Sequence, residues 1–163
     1  MAQPIRVLVV DDSAFMRQMI SRMLTEAGME VVGLARNGQE GYALARVLRP
    51  DVITLDVQMP VMDGLEMLRR LMREAPMPVV MLSSLTQKDA PETVEALSLG
   101  AVDFVPKPGT GSALSLPTVR DELVEKVRVA ARARVRRPRR ISRTRPRQGE
   151  RPRRGTAGIV VIG

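Results

Sequence analysis

The chain has 163 residues, of which 44% are hydrophobic and 2% aromatic, so it is long enough for one domain with an aliphatic core. It contains no cysteine and no histidine, which excludes disulfides, thiolate metal sites and any catalysis that needs an imidazole of this chain. The formal charge of +8 divides into net −5 over residues 1–125 and net +13 over residues 126–163, which indicates an acidic domain with a basic tail.

Five apolar segments alternate with helical segments over the first ~125 residues. Each is rich in Val, Ile and Leu without strict alternation, which is typical of parallel strands buried on both faces. The predicted strands are residues 5–10, 31–35, 52–55, 79–82 and 101–105. This alternation predicts an α/β sheet with right-handed crossover connections and helices on both faces. No segment approaches the ~20 apolar residues of a membrane span, so no membrane insertion is expected.

The helical segments carry apolar residues at helical spacing. Ser13 is a suitable N-cap for the first helix and Gly28 a suitable stop after it. The last helix is predicted over residues 119–133. The predicted core faces are Phe15, Met19, Met23 and Leu24 in the first helix, Leu65, Leu68, Leu71 and Met72 in the third, and Leu123 and Val127 in the last.

The composition changes after residue 133. Residues 134–157 are rich in Arg and Pro and lack apolar periodicity, which predicts a flexible, disordered linker with too little apolar surface to fold. Residues 158–163, GIVVIG, form a compact apolar run of the kind that begins a domain. The predicted organisation is one domain over 1–133, a linker over 134–157, and the start of a missing domain at 158–163.

Polar side chains follow four of the five predicted strands. They are Asp11 and Asp12 after the first strand, Asp56 after the third, Ser83 and Ser84 after the fourth, and Lys107 after the fifth. Taken singly, each is an ordinary helix-end, turn or surface residue. Because ligands of doubly wound sheets bind beyond the carboxyl ends of the strands, their shared placement predicts a functional site at that edge.

Three clustered carboxylates need a counter-charge. Two like charges ~4 Å apart repel by ~1 kcal/mol in water and by ~4 kcal/mol at an effective dielectric constant of 20. Lys107 supplies one cation, and Mg²⁺, which prefers oxygen ligands and keeps positions open for phosphate oxygens, is the natural second. A carboxylate beside Mg²⁺ and a lysine can attack phosphorus and form an acyl phosphate, with the Ser83 hydroxyl donating to a transferring oxygen.

The segments VLVVDDS, LDVQMPVMDG, MLSS and FVPKPG resemble the receiver domain of two-component response regulators, over residues ~4–130. The resemblance implies a flavodoxin-like (βα)5 fold with strand order 2-1-3-4-5. It implies that Asp56 accepts a phosphoryl group from a sensor histidine kinase. Asp12 and Asp56 would ligate Mg²⁺ directly, Asp11 mainly through a bound water, and Gln58 through its backbone carbonyl.

The resemblance also implies three further roles. Ser83 occupies the position of the switch hydroxyl, Phe104 that of an aromatic that rotates on activation, and Lys107 that of the lysine beside the phosphoryl group. The Lys107–Pro108 peptide bond is expected to be cis, because this would direct the lysine towards the carboxylates.

The segments VDDSAFMRQMI, ARNGQEG, LSSLTQ and GAVDFVPKP are most similar to chemotaxis protein-glutamate methylesterases. In that family a linker joins the receiver to an esterase domain that begins with a strand similar to GIVVIG. No serine motif follows here, so this chain is not expected to hydrolyse methyl esters, although its parent protein would. The expected partners are a chemotaxis histidine kinase, the esterase domain and, through it, chemoreceptors. The protein itself is expected in the cytoplasm. Gln58 occupies the position two residues after Asp56, where proteins of this subfamily often have an acidic residue.

Two other functions remain open on the residues alone. A nucleic-acid-binding regulator would use the 14 Lys and Arg residues after residue 125 as phosphate contacts, although no aromatic residues interleave with them. A hydrolase of small phosphate esters would use the acidic cluster, but Gln58 stands where a second acid would be needed.

Overall fold

The computed structural model describes residues 3–83, 90–107 and 116–133. The strands are β1 (Arg6–Val10), β2 (Glu30–Ala35), β3 (Val52–Asp56), β4 (Val79–Ser83) and β5 (Asp103–Pro106). The helices are α1 (Ala14–Glu26), α2 (Gly38–Leu48), α3 (Gly64–Glu74), α4 (Ala90–Leu99) and α5 (Leu116–Arg132). Several predictions concern residues outside the described ranges: the linker, the start of a second domain, Ser84 and Pro108. The predicted cis bond between Lys107 and Pro108 is among them.

The five strands form one parallel sheet in the order β2-β1-β3-β4-β5, which confirms the predicted α/β fold and its strand order. Strand β3 lies at the centre and pairs with β1, where Val10 faces Leu55, and with β4, where Asp56 faces Leu82. All strands point the same way, so the ends of β1, β3, β4 and β5 lie along one edge of the sheet.

The core has two halves, one on each face of the sheet. Because successive strand residues point to opposite faces, Leu8 and Ile53 pack on the side of α2, α3 and α4, and Val7 and Val52 pack on the side of α1 and α5. All four are fully buried, and each such side chain contributes about 1.5–3 kcal/mol of hydrophobic stabilisation. The sheet therefore holds its polar edge on a rigid, aliphatic support.

Helix α1 differs from the predicted core face. Met16, Ile20, Met23 and Leu24 are its buried residues, whereas Phe15 is 69% exposed. The apolar residues come in adjacent pairs at 15/16, 19/20 and 23/24, so the pattern alone does not say which row of the helix faces inward. The structure turns the second row of the first two pairs towards the sheet, and Met19 of the first row only packs against the edge of the core.

The ends of α1 follow the sequence signals. Ser13 caps the helix, with its side-chain oxygen accepting a hydrogen bond from the Met16 amide at 3.2 Å. Gly28 lies just after the helix with a φ of 90°, a conformation that favours glycine.

The third and last helices largely agree with the predicted faces. In α3 the buried positions include Leu65, Leu68 and Leu71 as predicted, and Met67 in addition, whereas the predicted Met72 is only partly buried. Helix α5 begins at Leu116, three residues before the predicted start, and buries Leu123 and Val127. Among the described residues, no helix has both the length and the apolar character that crossing a membrane requires.

Two backbone hydrogen bonds hold the loop between β3 and α3. The Gly64 amide donates to the Val57 carbonyl at 2.9 Å, and the Gly38 amide at the start of α2 donates to the Met62 carbonyl at 2.9 Å. Within this loop, Val61 precedes Met62 and adopts a φ of 68°. This left-handed conformation is rare for a β-branched residue and marks local strain.

Replacing Val61 should relieve that strain. Its side chain is 75% exposed, so Val61→Asn removes little packing. Because Asn tolerates the left-handed region, the free energy of unfolding is expected to rise by about 1 kcal/mol in urea titrations. Val47→Asn, at a 77% exposed position within α2, is the control and should bring no gain. Equal stability of the two variants would contradict the strain.

Candidate functional site

Three carboxylates meet where β1 and β3 end. Asp11 and Asp12 follow β1 directly, and Asp56 is the last residue of β3. Because the two strands are parallel neighbours, one carboxylate oxygen from each residue lies within 4.8 Å of the other two. The structure therefore brings together the three acids that the sequence placed at this edge.

Asp11 is the most deeply placed of the three. It is fully buried, and its Oδ1 accepts a hydrogen bond from the Ser13 amide at 2.9 Å. Its Oδ2 is buried without a hydrogen-bond partner among the described residues, and Lys107 Nζ lies 3.7 Å away. Burial raises the pKa of Asp11, against the Ser13 hydrogen bond and the charge of Lys107. An unsatisfied buried carboxylate oxygen is costly, and a cation would relieve that cost.

Asp56 forms the closest ion pair of the site. Lys107 Nζ donates to its Oδ2 at 3.1 Å, and the Gln58 amide donates a long bond of 3.4 Å to its Oδ1. Burial and the charge of Asp11 raise the pKa of Asp56 to about 7, although Lys107 opposes the rise. In the absence of a further cation, burial and Asp11 thus disfavour the charged form of this carboxyl group relative to an exposed aspartate.

Lys107 reaches the acids from the end of β5. Its backbone amide donates to the Ser83 carbonyl at 2.8 Å, which fixes its main chain against the end of β4. Burial lowers the pKa of Lys107, but the charges of Asp56 and Asp11 outweigh burial, and the pKa is raised above its ordinary value. Lys107 is therefore a permanent positive charge at neutral pH.

The acids suit Mg²⁺ by their chemistry. All the available ligand atoms are oxygens, one of them is a buried and unsatisfied Asp11 oxygen, and Asp12 is exposed towards solvent. An open, polar cleft of about 530 Å³ lies over this side, lined by Asp12, Gln58, Met59, Pro60, Asp63 and Glu92 among others. The cleft reaches Asp12 and the residues that follow Asp56, whereas Asp56 itself is buried behind them.

Ser83 ends β4 next to the acids. It is 1% exposed, and its Oγ accepts a hydrogen bond from Thr93 Oγ1 of α4 at 3.0 Å. Thr93 is itself buried and was not singled out in the sequence. The feature that could have identified Thr93 is its position one turn before Ala96, on the buried face of α4. A hydroxyl group that is buried in this way needs a hydrogen-bond partner.

Phe104 lies in β5, half-buried, and packs against the part of the core under α2, α3 and α4. Lys126 of α5 holds its main chain, because Lys126 Nζ donates to the Phe104 carbonyl at 2.8 Å. The same Nζ lies 5.2 Å from the centre of the ring, within range of a cation–π contact. Sequence reasoning missed Lys126, which reads as an ordinary helix lysine.

Comparisons with known proteins point to one family. The family model of the response regulator receiver domain matches residues 7–116. The crystal structure of the response regulator domain of Thermotoga maritima CheB aligns with a TM-score of 0.72 and 47% sequence identity, over 81% of this chain and 99% of that one.

Longer relatives share the same region. A protein-glutamate methylesterase/protein-glutamine glutaminase of Bacillus licheniformis is 56% identical over 133 residues, which are 81% of this chain and 37% of that protein. The protein of the same description from Archaeoglobus fulgidus is 57% identical over 126 residues, 77% of this chain and 36% of that protein. The chain thus spans well under half the length of these relatives.

Proposed function

The chain belongs to the response regulator receiver domain family, and from this premise we propose that it is a phosphorylation switch whose phosphoryl acceptor is Asp56. One observation carries the proposal. A buried carboxylate at the end of the central strand contacts Lys107 at 3.1 Å and lies beside two further acids. Such a group has a nucleophilic oxygen, a fixed positive charge and room for a divalent cation.

The residues divide the work of phosphoryl transfer. Asp56 attacks the phosphorus as a carboxylate, so an O–P bond forms while the P–N bond to the imidazole of a kinase phosphohistidine breaks. The departing imidazole takes up a proton. Lys107 Nζ, already 3.1 Å from the acceptor, stabilises the negative charge of the transferring oxygens.

Mg²⁺ would be held by Asp12, Asp56 and the Gln58 carbonyl, with Asp11 acting mainly through a bound water. When bound, it supplies the positive charge that offsets the mutual repulsion of the carboxylates and the charge on the phosphoryl group. This assignment is supported by the all-oxygen ligand set and by the buried Oδ2 of Asp11, which accepts no hydrogen bond from the described residues.

The response to phosphorylation would pass through Ser83 and Phe104. A phosphoryl group on Asp56 adds acceptor oxygens, which draw the Ser83 hydroxyl and allow Phe104 to turn inward. This biases a two-state equilibrium towards an active surface on α4, β5 and α5, or on the face against a downstream domain.

The cellular role follows from the relatives. A protein named protein-glutamate methylesterase/protein-glutamine glutaminase is 57% identical to this chain over 126 residues, so a chemotaxis histidine kinase is the proposed phosphate donor. The proposed output is control of a receptor methylesterase domain in the parent protein, in the cytoplasm. Nucleic-acid binding by the Arg-rich tail is not favoured, because the family match and the relatives support a receiver domain of the methylesterase type.

Radiolabelled acetyl phosphate tests the acceptor. The wild-type chain is expected to take up label with Mg²⁺ and to lose nearly all uptake in EDTA, and Asp56→Asn should take up none. Asp121→Asn, which removes an exposed acid of α5, is the matched control and should label as the wild type does. Equal labelling of Asp56→Asn would overturn the proposal.

A further inference from the structure

Two hydroxyl groups connect the acceptor site to helix α4. Thr93 Oγ1 donates to Ser83 Oγ at 3.0 Å, and the two side chains are 5% and 1% exposed. Ser83 ends β4, and Thr93 belongs to the first turns of α4. A buried hydrogen bond between side chains of two different elements fixes their relative position more firmly than an exposed one.

The neighbouring residue of α4 makes a second contact on the same side. Glu92 Oε2 accepts a hydrogen bond from Gln58 Nε2 at 3.4 Å, and Gln58 is two residues after Asp56. Adjacent residues of one helix thus contact two separate segments that flank the acceptor. The start of α4 is therefore placed to respond to changes on either segment.

The rest of α4 buries little side-chain surface, although Glu95 forms an exposed ion pair with Arg69 of α3. The buried residues of α4 are Thr93 and Ala96, while Val94 is 66% and Leu97 37% exposed. By comparison, α3 buries five residues. A helix with so little buried surface can shift at a small cost in free energy, so one hydrogen bond has a large influence on its position.

We propose that Thr93 is a positioning residue that couples the Ser83 hydroxyl to α4, so that a movement of Ser83 towards a phosphorylated Asp56 also moves the helix. This inference rests on the proposed function. A hydroxyl has one proton and two acceptor lone pairs, and the bond from Thr93 engages a lone pair of Ser83. It is therefore compatible with Ser83 donating its own proton to a phosphoryl oxygen.

The bond also acts in a favourable direction. A hydroxyl that accepts a hydrogen bond becomes a stronger donor, so the sequence Thr93 to Ser83 to phosphoryl oxygen is mutually reinforcing. When Ser83 moves, Thr93 must follow or lose this buried hydrogen bond, which costs free energy. Movement of α4 with Ser83 avoids that cost.

Hydrogen exchange of the α4 amides, with and without Mg²⁺ and acetyl phosphate, measures the coupling. Thr93→Val keeps the shape of the side chain and removes the hydroxyl. It should take up label on Asp56 as the wild type does, while the phosphorylation-dependent change in exchange over Ala90–Leu99 falls about five-fold, the factor that one ordinary hydrogen bond contributes. Thr93→Ser should restore the response. Ser83→Ala should reduce it equally, and the double variant Ser83→Ala/Thr93→Val no further.

Ser98→Ala is the matched control, because Ser98 is an exposed hydroxyl of the same helix whose hydrogen bond within the described part of the chain is local, to the Glu95 carbonyl at 2.9 Å. It should respond as the wild type does. A full α4 response in labelled Thr93→Val, or no recovery in Thr93→Ser, would overturn the coupling alone. A wild-type chain that took up no label would overturn the proposed function and the coupling together.

Discussion

Asp56→Asn is expected to stabilise the metal-free protein strongly at pH 8 and hardly at all near pH 4. Asp56 is 3% exposed, and burial together with the charge of Asp11 raises its pKa from 3.8 to about 7. Between these two values the folded chain binds more protons at this site than the unfolded chain. Stability from this residue is therefore present at low pH and is lost as the pH rises towards 7.

The expected gain reflects the size of that pKa difference. At pH 8 the wild type folds with a charged Asp56, whereas the amide of Asn resembles the protonated acid. The difference corresponds to a gain of up to about 4 kcal/mol in the free energy of unfolding. Urea unfolding in EDTA at several pH values measures it, and Mg²⁺ should narrow the gap by stabilising the charged wild type. A difference between the two chains that did not change with pH would contradict the raised pKa.

Gly64→Ala is expected to destabilise the protein by about 3 kcal/mol or more and to abolish phosphorylation. A Cβ at this position would lie 2.1 Å from the Asp56 carbonyl oxygen and 3.0 Å from Val57 Cα. Both are backbone atoms of the central strand and its continuation, so they cannot turn aside as a side chain would. The clash would displace the acceptor itself.

Gly28→Ala is the comparison variant for Gly64→Ala, because it strains the backbone without creating a steric clash. A Cβ at Gly28 would have no atom within 4 Å, but its φ of 90° would be strained. The expected loss is about 1–2 kcal/mol, with normal labelling. Urea unfolding and acetyl phosphate labelling of the two variants give the comparison. If Gly64→Ala cost no more than Gly28→Ala and still labelled, the close approach of Gly64 to Asp56 would be wrong.

The sheet was predictable because its strands carry continuous apolar runs. The run at 52–55 belongs to a strand that extends to Asp56, and the run at 79–82 to one that extends to Ser83. Because both faces of such a strand are buried, no side chain has to be assigned to an inner or an outer face. A continuous apolar run therefore predicts the strand without an alternating pattern. Helix α1 was harder, because apolar residues in adjacent pairs allow two inward rows, and only packing against the sheet selects between them.

The acids and Lys107 were also predictable, since each directly follows or ends a strand. Thr93 and Lys126 were not, because their contacts depend on how α4 and α5 lie against β4 and β5. Helix packing of this kind is set by tertiary structure and leaves only a weak trace in local sequence. For Thr93 that trace is a polar residue on a buried helical face.

The strand order has a consequence for the synthesis of the protein. Val10 and Leu55 face each other across about 45 residues, so the acids at the ends of β1 and β3 can meet about 50 residues before Lys107 is made. Until then, each pair of hydrated carboxylates ~4 Å apart repels by about 1 kcal/mol. Dissolved ions screen charges mainly beyond about 8 Å at physiological ionic strength, so this repulsion persists at the centre of the nascent sheet until the chain supplies Lys107.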